Sequence, residues 1–523
     1  MDETTALLGS QSPPNDARVP PSCRGRKPQT IVLLLSLLVL FLSCSDSLSA
    51  VPSTRLLEDA ICRRYTVRNA TEAPIDEQSC KADSVQSELA YLKGLMDTLE
   101  AAIGLLVAFP YAALSDKIGR KPILLLFITG YFLSSAWNAL VIYRSETLLP
   151  HTVLFSPAFF LIGGGRCVVI SALHSAVSDV TTDDHRASGF LAIMFGTLAG
   201  SFIGPVVSSG LMQITSPWVP YLISFGIMLL GAAMLLLIPE TLSPRKLDAD
   251  KQEPIDDTTR SMLNWHLRRC VAQLKESLDL LRQPALAVLL VTFLAPMPMM
   301  AATSQFFVQY VSKRFEWSLA AAGYLLSLRG TVNMLLLLVI LPGLSTMLLS
   351  RATAKGRSGA AKDRVLAQSS AVALTLGCLL MASDRIYVVV TGLVVNTLGA
   401  GLAAVCRSLA AYLVSAHHTA KLQTLIGMTE ALGSLFAGPA LAGMLSAGMK
   451  SEGAWMGLPY LGLAAFLSLT TLLPLFFVRF PAGLTAQASD DDTDPAFACA
   501  RGLDGGCPLG SHCPGHAPFG SAA

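Results

Sequence analysis

The sequence predicts an all-α membrane protein: twelve transmembrane helices in two pseudo-symmetric halves of six. Three observations predict it. Hydrophobic residues make up 52% of the 523 positions and charged residues only 14%, where a soluble domain carries roughly 25% charged; so few charges cannot cover a surface that faces water. The mean hydropathy is +0.54, and the apolar residues form long blocks rather than stripes of helical or strand period. The blocks divide six and six about a polar stretch at 240–284 that holds eight Lys/Arg and eight Asp/Glu. The composition also excludes alternatives. Disorder over most of the chain fails, because disordered chains are poor in apolar residues. A net charge of +2 supplies no basic surface, so nucleic acid is not an expected partner.

A bilayer core of about 30 Å needs about 20 apolar residues per helix. In chain order the blocks are 30–50, 89–113, 122–143, 151–178, 187–212, 219–239, 285–310, 318–345, 366–384, 386–415, 422–448 and 457–479. The first also resembles a signal peptide with apolar core Ile31–Ser43. Its polar leader is long, however, and Leu48 sits badly at the −3 position of a cut after Ala50, so it counts as a span. The layout is then a disordered N-terminus (1–29), an N-terminal half (30–239), a central loop (240–284) with a surface helix near Met262–Arg282, a C-terminal half (285–479) and a disordered tail (480–523).

Orientation follows from basic residues in the loops. Arg18, Arg24, Arg26 and Lys27, then Lys117, Arg120 and Lys121, then the central loop, then Arg351, Lys355, Arg357, Lys362 and Arg364 all fall on one side. The loops after spans 3, 5, 7, 9 and 11 carry about five Lys/Arg together, and the five of the first loop, 51–88, are offset by seven acids. Both termini are therefore expected in the cytoplasm. The first loop would face an oxidising space. It holds a glycosylation sequon at Asn69-Ala70-Thr71 and two cysteines, Cys62 and Cys80, that such a space allows to pair.

Between spans 2 and 3 the chain reads Ala112-Ala-Leu-Ser-Asp116-Lys117-Ile118-Gly119-Arg120-Lys121-Pro122. Asp116 ends one helix and can accept hydrogen bonds from Arg120 or a neighbouring helix N-terminus. Gly119 allows a tight turn. Asp116, Lys117, Gly119, Arg120 and Lys121 match the loop 2–3 signature of the major facilitator superfamily, which the chain resembles over about 30–480. Ala112 replaces the first glycine of that signature, and the second half lacks a clear copy of it. The resemblance implies two six-helix halves around a central cavity that opens alternately to either side, with this cluster as a gating latch. In span 5, Gly196…Gly200…Gly204-Pro205…Ser208-Ser209-Gly210 resembles the glycine–proline motif of drug:proton antiporters in that superfamily, with Ser208 and Ser209 where a glycine pair is expected. Similar spacing recurs in span 11 as Gly427…Gly433…Gly438-Pro439…Gly443.

Ionisable groups at mid-membrane cost at least about 2.5–3.5 kcal/mol each, so they need partners or a cavity. The candidates are Asp97 and Glu100 in span 2, one face of one helix; Arg166 and His174 in span 4; Arg329 with Asn333 in span 8; Arg407 in span 10; and Glu430 in span 11. Asp46 in span 1 is expected nearer the outer surface. The functional reading is a cavity network in which carboxylates take up and release protons and an arginine holds an anionic substrate. Span 7, Pro296-Met-Pro298 followed by Gln305, Phe306, Phe307, Gln309 and Tyr310, suits a broken helix at a cavity wall.

Glu3-Thr-Thr-Ala-Leu7-Leu8 looks like an acidic dileucine sorting signal, and Cys499, Cys507, His512, Cys513 and His516 lie in a tail without a periodic apolar face, so no metal site is expected there. No Walker-type segment, HExxH or GxSxG appears, so neither nucleotide hydrolysis nor an intramembrane enzyme is expected, and no cofactor or catalytic residue is assigned. Nor is there a sizeable soluble domain for a receptor. The expectation is a monomeric secondary transporter in the cell membrane, or alternatively the vacuolar membrane. Its partners would be a small organic molecule, protons and the lipid bilayer. It resembles fungal exporters of drugs and secondary metabolites; a proton-coupled importer of an organic anion is the alternative.

Overall fold

The computed structural model describes residues 28–66, 77–242, 283–340, 342–344, 359–414, 419–451 and 453–477. Asn69, the central loop beyond Leu242 and both chain ends lie outside the described residues. The described chain is helical throughout. Eleven helices are long and apolar enough to cross a bilayer, and a twelfth, Asp83–Ala108 with Pro110–Ile118, passes as one span bent by 49°. The spans are Pro28–Thr66, Asp83–Ile118, Arg120–Tyr143, Pro150–Val180, Asp183–Ile214 and Trp218–Leu237, then Pro284–Arg314, Leu319–Leu344, Gly359–Met381, Ile386–Tyr412, Thr419–Ser451 and Trp455–Phe477.

Span 1 differs most from the sequence expectation. It runs 39 residues, through Pro52, where the apolar block ends at 50. Proline in a helix removes one backbone bond, here the one to the Leu48 carbonyl, yet the helix continues past it; the Ser53 and Thr54 hydroxyls fold back onto the Ala50 carbonyl. The added turns bury Leu56, Leu57 and Ile61 at 5%, 5% and 0% exposure. Spans 4 and 7 are composite. Span 4 starts as a 3-10 helix, Pro150–Phe159, and restarts as an α-helix at Gly165 after Gly164 turns left-handed at φ +85°. Span 7 is interrupted by a 3-10 turn at Thr292–Leu294, just before Pro296.

The apolar interior follows the division of the chain. One cluster draws on Leu286 through Leu475 and takes only Val51 and Ala90 from earlier spans, whereas a second is built from Ile31 through Ile238. Two seams join the halves. At one, span 2 crosses span 11 so closely that a Cβ on Gly94 would stand 2.6 Å from the Gly438 carbonyl oxygen. At the other, span 8 meets span 5, where a Cβ on Gly330 would lie 3.2 Å from the Phe202 Cα.

Candidate functional site

The restart of span 4 creates the central site. Arg166 stands on the first turn of Gly165–Val180, beside a helix N-terminus that itself attracts anions. Its guanidinium reaches Asp46 of span 1 through Nη2 at 2.9 Å and Glu100 of span 2 through Nε at 3.1 Å. The Tyr131 hydroxyl of span 3 donates to the same Asp46 oxygen at 2.9 Å. Four spans of the N-terminal half thus converge on one ionic cluster. Asp46 belongs to it because span 1 continues to Thr66: the residue lies near the middle of a helix of 39 residues, not near the outer surface.

Asp97 stands apart from this pairing. Its Oδ1 accepts a bond of 2.9 Å from Gln305 Nε2 of span 7, and so links the halves. Lys93, one turn before it on span 2, donates to Thr54 of span 1. The C-terminal half has its own pair, Arg407 with Glu430 at 2.6 Å. Arg329 and Asn333 are half-buried on span 8. Among the described residues His174 bonds its own preceding turn, at Ile170 O, and lies against the Phe190 ring. In span 7, Phe306, Phe307 and Tyr310 are 3%, 0% and 1% exposed and belong to the core of the second half, so the expected aromatic wall is packing. The amides of that stretch, Gln305 and Gln309, are what reach across, Gln309 Nε2 donating to Gln86 O at 2.7 Å.

At the other end of span 2, Arg120 is the hub of the loop 2–3 motif. It is 8% exposed. It bonds Asp116 at 2.7 Å, Asp179 at the end of span 4 at 3.2 Å, and Ser115 Oγ at 2.8 Å. The backbone N–H groups of Arg120 and Lys121, in the first turn of span 3, donate to the two Glu240 oxygens at 2.9 and 3.1 Å. Lys121 Nζ caps span 6 through Leu236 O and Ile238 O. Gly119 has φ +104°, and a Cβ there would run into the Glu240 carboxylate, so this position requires glycine twice over. Lys117 is exposed. The motif sequence did not reveal Asp179 and Glu240, since their partners lie some sixty and more positions away.

The glycine motif of span 5 packs that helix onto span 1. A Cβ on Gly196, Gly200 or Gly204 would come within 2.5–2.7 Å of Ser36, Ser43 or Ser47. Pro205 is carried inside the unbroken helix Asp183–Ile214. The repeat in span 11 is looser: Gly433 packs on Leu294 of span 7, Gly438 packs across the seam on Gly94, and a Cβ on Gly427 or Gly443 would meet nothing within 4 Å among the described residues.

At the end carrying loop 1, a short 3-10 helix, Glu77–Lys81, is tied to span 1 by the Cys62–Cys80 disulfide, Cα–Cα 5.3 Å. Beneath it Glu58, fully buried, takes Arg55 and Lys81 at 2.9 Å each and Gln86 at 2.5 Å. This platform bonds the second half. Glu77 Oε1 accepts from the Leu319 N–H at 2.7 Å, Asp83 pairs with Lys313 at 2.6 Å, and Gln78 Nε2 donates to the carbonyl of Glu316 at 3.0 Å. Glu316 itself is held left-handed at φ +56°.

The comparisons agree with this architecture. The profile of the Major Facilitator Superfamily matches residues 86–436. The chain is 30% identical to the MFS efflux pump atnC of Emericella nidulans, over 86% of this chain and 88% of that protein. It is 27% identical to the MFS-type transporter avaK of Aspergillus versicolor, over 90% and 96%. Among solved structures, a D-xylose-proton symporter aligns with a TM-score of 0.59 at 15% identity, over 86% of this chain and 98% of that one. A POT family transporter aligns at 0.58 and 16%, over 88% and 98%. Twelve apolar spans, the Arg120-centred turn and the profile match together place this chain in the Major Facilitator Superfamily, as a multi-pass membrane transporter and not an enzyme.

Proposed function

We propose that the chain is a proton-coupled exporter of a small organic molecule, of the kind fungi make as secondary metabolites. Export is favoured over import by the relatives, several of which are named efflux pumps. Proton coupling is supported by one observation above the others: Asp97 has no ion-pair partner within 4 Å among the described residues, and it accepts a hydrogen bond from the opposite half. Asp46 and Glu100, by contrast, are both ion-paired with Arg166. Protonating Asp97 replaces a charge-assisted bond by a neutral one of roughly half the strength. That loosens span 2 from span 7, so the protonation state biases which arrangement of the halves is preferred.

In this reading both termini face the cytoplasm and loop 1 faces outside. The bonds from the loop 1 platform to spans 7 and 8 then close the external side, and the described arrangement is the one that loads cargo from the cytoplasm. The protein works as a monomer in the cell membrane; a fluorescent fusion seen at the vacuole instead would move the site of action there. The decisive experiment compares cells with and without the protein. Export requires higher intracellular compound in its absence, and lower compound would establish the importer of an organic anion.

A further inference from the structure

We propose that Arg329 and Asn333 form the cargo-recognition site of the second half, and that the cargo carries a carboxylate that docks there. The inference rests on the exporter reading and adds the chemical class of what is exported. The other charged groups inside the spans have partners. Arg166 has Asp46 and Glu100, Arg407 has Glu430, Lys93 has Thr54 and Asp97 has Gln305. Among the described residues the Arg329 side chain has no hydrogen bond and no ion pair, and neither does the Asn333 side chain. A guanidinium at mid-bilayer without a partner costs at least about 2.5–3.5 kcal/mol, so a fold that keeps one there leaves a site for an anion to fill.

The helix geometry places both groups. Span 8 begins at Leu319, and ten residues at about 1.5 Å each put Arg329 roughly 15 Å along the axis, half of the hydrocarbon thickness. At 3.6 residues per turn the helix has three faces. Gly323 and Gly330 lie against Ser209 and Phe202 of span 5. Tyr324 and Leu335, 38% and 50% exposed, form the outer face. Ala322, fully buried, and Leu326 mark the third, packed into the core of the second half, and Arg329 and Asn333 continue that stripe by helical spacing. The pair therefore sits beside the seam of the two halves and away from the lipid-facing side. Three residues beyond Asn333 the helix widens to a π turn at Leu336–Ile340, a deviation that often accompanies functional sites. A guanidinium presents two parallel N–H groups that match a carboxylate. The Asn333 amide, one turn on, supplies a further donor and an acceptor for a neighbouring hydroxyl.

The test uses the purified full chain and two aromatic carboxylates, naphthoate and biphenylcarboxylate, beside their neutral methyl esters. Thermal stabilisation in detergent reads binding; proton movement in pyranine-loaded proteoliposomes, corrected for protein-free vesicles, reads coupling. The expected result is that the acids stabilise the parent protein and the esters do not. Arg329→Gln should then raise the half-saturating acid concentration at least tenfold while Arg329→Lys retains part of the response, with neither variant melting below the parent without ligand. The proposal is overturned if neither acid stabilises the parent, if the esters do so equally, or if Arg329→Gln binds the acids as the parent does. Should Arg329→Gln simply misfold, Asn333→Leu must weaken acid binding in its place, and unchanged binding there is equally fatal. Stabilisation by acids without any proton movement would sink the coupling reading and leave the Arg329 site standing.

Discussion

Asp97 and Glu100 are three residues apart on one helix face, and from the sequence they are interchangeable as proton carriers. Their partners separate them. Glu100 is held by Arg166, whereas Asp97 accepts a hydrogen bond from an amide of the opposite half. Asp97→Asn should therefore remove the pH dependence of transport while expression and melting temperature stay near the parent's, since an amide can still bond Gln305. Glu100→Gln should do the reverse, keeping proton coupling but lowering the melting temperature, because Arg166 is left with a single carboxylate. Proteoliposome flux at two pH values, beside a melting curve, checks both; parent-like pH dependence in Asp97→Asn refutes its assignment. Which residue types would be present was legible in the sequence, but their pairing was not. Asp46 lies 85 positions from Tyr131 and 120 from Arg166, and the break at Gly164 brings the guanidinium to the face shared by spans 1 and 2.

Elements were readable from their apolar blocks, prolines included: spans 5 and 11 carry Pro205 and Pro439 inside unbroken helices. Span 1 looked finished at 50 because its apolar block ends there; the burial of Leu56, Leu57 and Ile61 carries the helix further. The glycine motif of span 5 was legible as close packing but gave no partner. With span 1 identified, the expectation is sharp. Gly204→Ala puts a methyl 2.5 Å from Ser47 Cβ, and overpacking of that kind costs about 1–3 kcal/mol. Gly226→Ala meets nothing within 4 Å and should be neutral or slightly stabilising, because alanine is the better helix former. Melting temperatures of the two detergent-purified variants decide this, and equal values would remove the packing role. In the loop 2–3 turn the weight falls on Arg120 rather than Asp116. The Asp116 side chain is 67% exposed, and an exposed pair contributes about 1 kcal/mol or less, so Asp116→Asn should cost little stability. Arg120→Ala strips Asp179 of its cation and Ser115 of its donor, and should lower both stability and turnover.

For the whole molecule, the halves are two cores held together at one end. Span 2 slides against span 11, and span 5 against span 8, over glycines at Gly94, Gly438 and Gly330, so little side-chain interlocking resists rotation along the seams. The restraint lies in the Asp97–Gln305 bond and in polar bonds at the loop 1 end, which the sequence could not show because each joins residues more than 200 positions apart. Rocking of rigid halves then makes a direct prediction. Ser87 Oγ and Ser446 Oγ are 3.1 Å apart across the span 2–span 11 seam at that end. Replacing both by cysteine should allow an oxidant to tie the halves there and stop transport. A reductant should restore transport in the double variant, with the parent under the same reductant controlling for loss of Cys62–Cys80, and either single cysteine alone should leave transport intact. If the cross-link forms quantitatively and transport continues, the end carrying loop 1 does not open during the cycle, and alternating access must be achieved by movement confined to the opposite end.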